Sequence, residues 1–152
     1  MKRFLIFFIF VFFFSLNIHI ASADLKKVNT EDLISIIENS KGKVLILMFW
    51  SIQCPLCVKE LSVLEDLNQT YDSSSLKIVS VCLDSDTTKV NKFLIKKKID
   101  LPVLIGKEDV KTNFNILGVP KIYIFDKENR LVKRQIGYID RSSLINIVKS
   151  LI

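Results

Sequence analysis

The chain has 152 residues, of which 49% are hydrophobic and 25% charged, and its net charge at pH 7 is +6. This length suits one domain with a buried core and leaves no room for a second full domain. The positive charge is modest and the lysines are scattered, so the composition does not indicate a nucleic-acid-binding protein.

The N-terminal segment has the features of a secretory signal peptide. Lys2 and Arg3 precede the 11 apolar residues 4–14, and Ala21-Ser22-Ala23 forms an A-x-A cleavage signal. A membrane-spanning helix would need about 20 apolar residues. We therefore expect residues 1–23 to be removed and residues 24–152 to form a periplasmic or secreted domain. An uncleaved membrane anchor is the alternative.

Three cysteines remain after this cleavage, whereas the only histidine, His19, is lost. Cys54 and Cys57 have the CxxC spacing of a redox pair, and Cys82 is left over. A zinc site normally needs four Cys or His ligands. We therefore expect no metal and no cofactor other than a redox-active disulfide between Cys54 and Cys57.

Apolar patterns predict alternating helices and strands from residue 30 onward. The run 43–50, apolar except for Lys43, is typical of a central parallel strand that is covered on both faces. Before this strand we predict a helix capped by Thr30, and after it a helix with Pro55 in its first turn. A strand at 76–83, a helix capped by Thr87 or Thr88, a strand at 101–105 and a short helix at 108–114 follow. The chain ends with strands at 121–125 and 131–137 and a helix capped by Asp140. This order indicates an α/β layered domain with a mixed central sheet.

The CxxC motif thus lies where a buried strand ends and a helix begins. A thiolate is the attacking species in disulfide exchange, and a helix N-terminus lowers a cysteine pKa from about 8.5 to about 3.5–7.5. We therefore predict that Cys54 is the nucleophile and that Cys57 resolves the mixed disulfide. A static disulfide is the structural alternative. Cys82 is expected to be a buried core cysteine and not a redox partner.

The pattern Phe49-Trp50-x-x-x-Cys54-x-x-Cys57-x-x-Glu60, followed by Gly118-Val119-Pro120, resembles the thioredoxin superfamily, in particular its exported TlpA/ResA-like branch of AhpC/TSA type. The resemblance spans essentially all of the mature domain. It implies a thioredoxin fold, a three-layer α/β/α arrangement with a mixed central sheet. It also implies a monomeric thiol-disulfide oxidoreductase that acts on protein thiols and disulfides, with a membrane or soluble electron donor. The expected role is a reductant in cytochrome c maturation or redox homeostasis.

The resemblance also assigns site residues. Family members hold the equivalent of Pro120 in cis beside the dithiol. The resemblance implies that Val119, Pro120 and Trp50 bind the substrate. Only about 5–6% of X-Pro bonds are cis in general, and a trans proline at a strand entrance is the alternative. Glu60 matches the typical glutamate of the branch and is a possible proton relay, although it could equally be a solvated helix residue.

Several positions depart from the pattern of the superfamily. Met48 stands where thioredoxins carry a buried aspartate, so it cannot relay a proton. Gln53 replaces the tryptophan that precedes the first cysteine. The acidic residue that ResA-like proteins place at about Ser85 is absent, and Asp84 and Asp86 flank that position instead.

Two other functions remain open on sequence grounds. Peroxiredoxin-like peroxidases share this fold, and their sites resemble Pro-x-x-x-Thr/Ser-x-x-Cys. Ser51 fits this pattern, but Leu47 occupies the proline position. The other alternative is a non-enzymatic thioredoxin-fold binding module whose dithiol is incidental.

Overall fold

The computed structural model describes residues 25–152, and the predicted signal peptide lies outside this range. Within it, no helix is long and apolar enough to cross a bilayer. The elements are β1 (Lys27–Val28), α1 (Thr30–Glu38), β2 (Val44–Trp50), α2 (Pro55–Thr70), β3 (Leu76–Cys82), α3 (Thr87–Lys97), β4 (Val103–Gly106), α4 (Glu108–Asn113), β5 (Lys121–Phe125), β6 (Leu131–Ile136) and α5 (Arg141–Leu151).

The strands form one six-stranded sheet with the order β1-β4-β3-β2-β5-β6. β2 lies parallel to β3 on one side and antiparallel to β5 on the other, and β6 pairs antiparallel with β5. The sheet is therefore mixed, as predicted, and β2 occupies its centre.

Alternate residues of β2 face two separate layers of helices, which explains why the whole strand is apolar. Leu45, Leu47 and Phe49 pack in a cluster with residues of α1 and α4. The intervening residues, which include Met48 and Trp50, pack with residues of α2, α3 and α5. The predicted three-layer α/β/α arrangement is confirmed.

Two predicted helix caps are wrong by one or two residues. Asn29, and not Thr30, caps α1: its side chain accepts a hydrogen bond from the Asp32 amide at 2.8 Å, and the Asp32 carboxylate accepts from the Asn29 amide at 2.9 Å. Asp86, and not Thr87 or Thr88, caps α3. In both cases the residue preceding the threonine supplies a better acceptor for the free amides of the first turn.

Two strands on one side of the sheet also differ from the prediction. The sequence does not indicate β1, because two residues are too short to show an alternating pattern. The fourth strand, β4, begins at Val103, two residues later than predicted.

Asp140 caps α5 as expected, since its carboxylate accepts a hydrogen bond from the Ser143 amide at 3.0 Å.

Candidate active site

Cys54 and Cys57 form a disulfide at the N-terminus of α2, with their Cα atoms 5.2 Å apart. Cys54 is the N-cap and Pro55 opens the helix, where the missing proline N–H costs no hydrogen bond. The Cys57 amide points at Cys54 Sγ from 3.1 Å. Cys57 is buried, whereas Cys54 is only partly covered. Cys54 is therefore the more accessible of the two cysteines, and the amide end of the helix favours its thiolate.

The Val119–Pro120 peptide bond is cis and lies beside this disulfide. The carbonyl oxygen of Val119 is 3.7 Å from Cys54 Sγ. The structure thus brings together the two motifs that the sequence places more than 60 residues apart, as the resemblance implies. Backbone next to the reactive sulfur is available to a bound polypeptide.

Trp50 does not form part of the exposed surface, which corrects the expectation that it binds substrate. Its side chain is completely buried, and its ring centroid lies 5.8 Å from that of Phe93 on α3. As the last residue of β2, Trp50 faces the α2, α3 and α5 layer. Ile52 and Cys54, which follow in the chain, pack against the same cluster.

Glu60 is completely buried one helical turn beyond Cys57, so the solvated-residue alternative is wrong. One carboxyl oxygen accepts a hydrogen bond from the Ile139 amide at 3.3 Å, and the other has no partner among residues 25–152. Burial raises the pKa of Glu60 from 4.5 to about 7, although the hydrogen bond from Ile139 opposes the shift. The side chain can therefore both hold and release a proton near neutral pH.

Asp84 organises the loop that leads to Cys54, a role that the sequence does not reveal. Its carboxylate accepts hydrogen bonds from the Ile52 amide at 2.9 Å, the Ser51 hydroxyl at 3.3 Å and the Cys82 thiol at 3.3 Å. The only sequence signal is an acidic residue soon after a buried strand. These contacts tie the loop after β2 to the end of β3.

Cys82 is a free, buried cysteine, as predicted. Burial raises the pKa of its thiol from 9.0 to about 12. The thiol therefore stays protonated and donates to Asp84. Neither property suits a nucleophile.

Exposed apolar side chains lie on the segments around the disulfide. Leu56, between the two cysteines, is 51% exposed, and Leu117, two residues before Val119, is 82% exposed. Ile136 is also exposed and adjoins this loop, because a Cβ added at Gly118 would lie 3.4 Å from its Cγ2. We call Leu56, Leu117 and Ile136 the apolar rim.

Comparisons with known proteins agree with this geometry. The chain is 26% identical over 113 residues to thioredoxin-like protein YneN of Bacillus subtilis. It is 29% identical over 102 residues to sporulation thiol-disulfide oxidoreductase A of the same species. These alignments cover 72% and 64% of this chain and only 66% and 62% of the relatives, so the chain spans less than two thirds of their length.

A third relative matches more of the chain. The thiol-disulfide oxidoreductase ResA of Bacillus thuringiensis is 24% identical over 136 residues, covering 89% of this chain and 75% of ResA. Among solved structures, the thioredoxin domain of thiol-disulfide oxidoreductase BVU-2223 from Bacteroides vulgatus superposes with a TM-score of 0.64 at 22% identity, covering 74% of this chain and 81% of that domain. This similarity shows that the fold is thioredoxin-like.

The match to a protein family covers most of the chain. The AhpC/TSA family aligns with residues 14–134, which include the disulfide, Glu60, Asp84 and the cis-proline. Together with the thioredoxin-like sheet and the similarity to ResA-type proteins, this match confirms the resemblance that the motifs indicated. The chain belongs to the AhpC/TSA family.

Proposed function

We propose that this protein is a thiol-disulfide oxidoreductase that exchanges disulfides with polypeptide partners through Cys54 and Cys57. One observation carries the proposal: the Cys54–Cys57 disulfide caps α2, with its accessible sulfur 3.7 Å from the Val119 carbonyl oxygen. The similarity to sporulation thiol-disulfide oxidoreductase A and to ResA supports it.

The reaction proceeds in two exchanges, written here for the reduced protein. The Cys54 thiolate attacks one sulfur of a partner disulfide, so that a mixed disulfide forms, the partner's S–S bond breaks and one partner thiolate leaves. Cys57 then loses its proton and attacks Cys54 Sγ. This step closes the Cys54–Cys57 disulfide and releases the second partner thiolate, and two electrons have passed to the partner. The reverse sequence oxidises a partner dithiol.

Glu60 is suited to take the proton of Cys57. It lies one turn further along α2, it is shielded from bulk water, and its pKa of about 7 allows it to accept and return a proton at neutral pH. Met48, at the position of the thioredoxin aspartate, offers no such group. We therefore assign Glu60 the role of proton relay.

The surroundings of the disulfide favour a polypeptide substrate. The apolar rim offers contacts to side chains that flank a partner cysteine. The backbone beside Val119 offers hydrogen-bonding groups to an extended segment.

Reduction of insulin by dithiothreitol tests the proposal. We expect the wild-type protein to accelerate the precipitation of insulin chains, and we expect Cys54→Ser to remove the acceleration. Cys82→Ala is the matched control, because it removes a thiol from the same domain without touching the dithiol. Wild-type protein without activity would instead favour a non-enzymatic binding module.

We further propose that the protein is exported and that cleavage after Ala23 leaves Asp24 at the N-terminus. The order of features in residues 1–23 supports this proposal. Mass spectrometry of protein from the extracytoplasmic fraction tests it, and an intact Met1 in the membrane fraction would establish an anchor instead.

We also propose that the exported domain works as a reductant, in cytochrome c maturation or in redox homeostasis. The resemblance of residues 49–60 to the TlpA/ResA-like branch supports this direction. The reduction potential of the Cys54–Cys57 couple is the test: a value near that of thioredoxin, about −270 mV, suits a reductant, whereas a value near −120 mV would indicate an oxidant.

A further inference from the structure

Beside the cis-proline loop lies a pocket of about 300 Å³ that contains two cationic side chains. We propose that this pocket binds an acidic side chain of the partner polypeptide, close to the cysteine that exchanges with Cys54. The inference rests on the proposed function and adds a preference among its substrates. The residues that line this pocket, here called the basic pocket, are Asn115, Lys121, Arg134, Gln135 and Ile136.

Lys121 is a buried cation without a carboxylate partner. Its side chain is only 2% exposed, and its ammonium donates to the carbonyl oxygens of Phe114, at 3.0 Å, and Asn115. Among residues 25–152 it forms no salt bridge. The ammonium also lies 5.2 Å from the centroid of the Tyr123 ring. Burial of a charge is costly unless a counter-charge compensates it, and neutral carbonyl groups and an aromatic ring do so only in part. A carboxylate in the pocket would supply the missing counter-charge.

Arg134 adds a second positive charge on the same face of the sheet. It pairs with Tyr123 in the β5–β6 ladder, while Lys121 pairs with Ile136. Since directly paired residues project to the same face, and alternate residues of one strand do as well, Lys121 and Arg134 share a face. Arg134 is exposed and has no ion pair within the described part of the chain. A guanidinium is well suited to hold a carboxylate through two parallel hydrogen bonds.

The position of the pocket connects it with the exchange site. Lys121 directly follows the cis-proline Pro120, and the Gly137 amide, next to Ile136, donates to the Pro120 carbonyl at 2.8 Å. The pocket therefore adjoins the loop whose Val119 lies beside Cys54, and the proposal places an acidic side chain of a bound polypeptide there. Because no aspartate or glutamate lines the pocket, an acidic side chain meets attraction there without opposing repulsion.

Matched peptide substrates test this inference. Each peptide is closed by an intramolecular disulfide and carries either glutamate or glutamine at one position two to four residues from a cysteine. With dithiothreitol as reductant, we expect a kcat/KM about three- to tenfold higher for the best glutamate peptide than for its glutamine twin, since about 1 kcal/mol from a charge-assisted pair corresponds to roughly fivefold. Arg134→Gln should bring the ratio close to one.

Lys133→Gln is the control, because Lys133 carries the same charge one residue earlier on the opposite face of β6 and pairs with Ile124. It should leave the ratio unchanged. The proposed role of the basic pocket would be wrong if glutamate and glutamine peptides reacted at equal rates at every position. It would also be wrong if both variants lost the preference equally. Either result would leave the proposed function intact. Absence of turnover on all peptides would overturn both proposals.

Discussion

The buried carboxyl group of Glu60 accepts a hydrogen bond from the backbone amide of Ile139 at 3.3 Å. This bond joins the helix that carries the dithiol to the loop before α5. The second oxygen of the same carboxyl has no partner among residues 25–152. The charged form of Glu60 therefore loses the solvation of bulk water and gains only one hydrogen bond in return. Because folding favours the protonated form, the free energy of unfolding depends on pH.

Glu60→Gln should flatten the dependence of stability on pH. The pKa of Glu60 is raised from 4.5 to about 7, so in this interval the folded protein keeps a proton that the unfolded chain releases. The stabilisation from this proton is complete below pH 4.5 and is lost as the pH rises through about 7. The free energy of unfolding falls by about 3 kcal/mol over this range. We expect the variant to be more stable than wild type at pH 8, as measured by urea unfolding of the oxidised protein.

The exposed Glu38, replaced by glutamine, is the control for this experiment. A parallel pH dependence in wild type and Glu60→Gln would contradict the assigned pKa. The exchange rate gives an independent readout, because removal of a proton relay should slow the second exchange and abolish an inflection near pH 7.

Asp84→Ala should loosen the loop before Cys54. The substitution leaves the Ile52 amide and the Ser51 hydroxyl without their acceptor. Hydrogen bonds to charged groups contribute about 1.5–3 kcal/mol, so we expect a loss of about 2 kcal/mol in the free energy of unfolding, together with slower insulin reduction. Denaturant unfolding measures the first effect. The exposed Asp100, changed to asparagine, should alter neither quantity. If Asp84→Ala also altered neither, Asp84 would not hold the loop before Cys54 in place.

The two active-site thiols should differ in reactivity once the protein is reduced. Cys54 is partly exposed at the N-cap of α2, whereas Cys57 is buried one turn further. We therefore expect iodoacetamide to modify Cys54 first, with a rate that rises at a lower pH than for an ordinary thiol. Peptide mapping after partial alkylation identifies the residue. Earlier labelling of Cys57 would reverse the two roles.

Cys82→Ala should leave exchange rates within a few-fold of wild type. Burial raises the pKa of this thiol to about 12, so it supplies no thiolate at neutral pH. Some loss of stability is expected from the small cavity and the lost contact with Asp84. If the folded variant lost exchange activity, a relay through Cys82 would have to be considered.

The sequence predicts the dithiol and its setting well because those signals are local. An uninterrupted apolar strand, a CxxC motif and a proline in the first turn specify a buried strand that delivers Cys54 to a helix N-terminus. The proximity of Val119 and Pro120 to Cys54 came from family resemblance, since nothing local specifies it.

The remaining features depend on contacts between distant segments. Asp84 meets Ile52 across 32 positions, and Glu60 meets Ile139 across 79, so neither partnership leaves a pattern in the sequence. The resemblance implied that Trp50 binds substrate, yet Trp50 ends β2 and packs against Phe93 of α3 inside the core. Packing of this kind is decided by tertiary structure.

Trapping of the mixed disulfide tests the central claim most directly. Reduced Cys57→Ser protein is mixed with a disulfide-bonded polypeptide such as insulin, quenched with acid and mapped by mass spectrometry. Because serine cannot resolve the first intermediate, we expect it to accumulate as a covalent complex linked through Cys54 Sγ, and we expect none with Cys54→Ser. A complex linked through Cys82, or full turnover by Cys57→Ser, would contradict the two-cysteine mechanism.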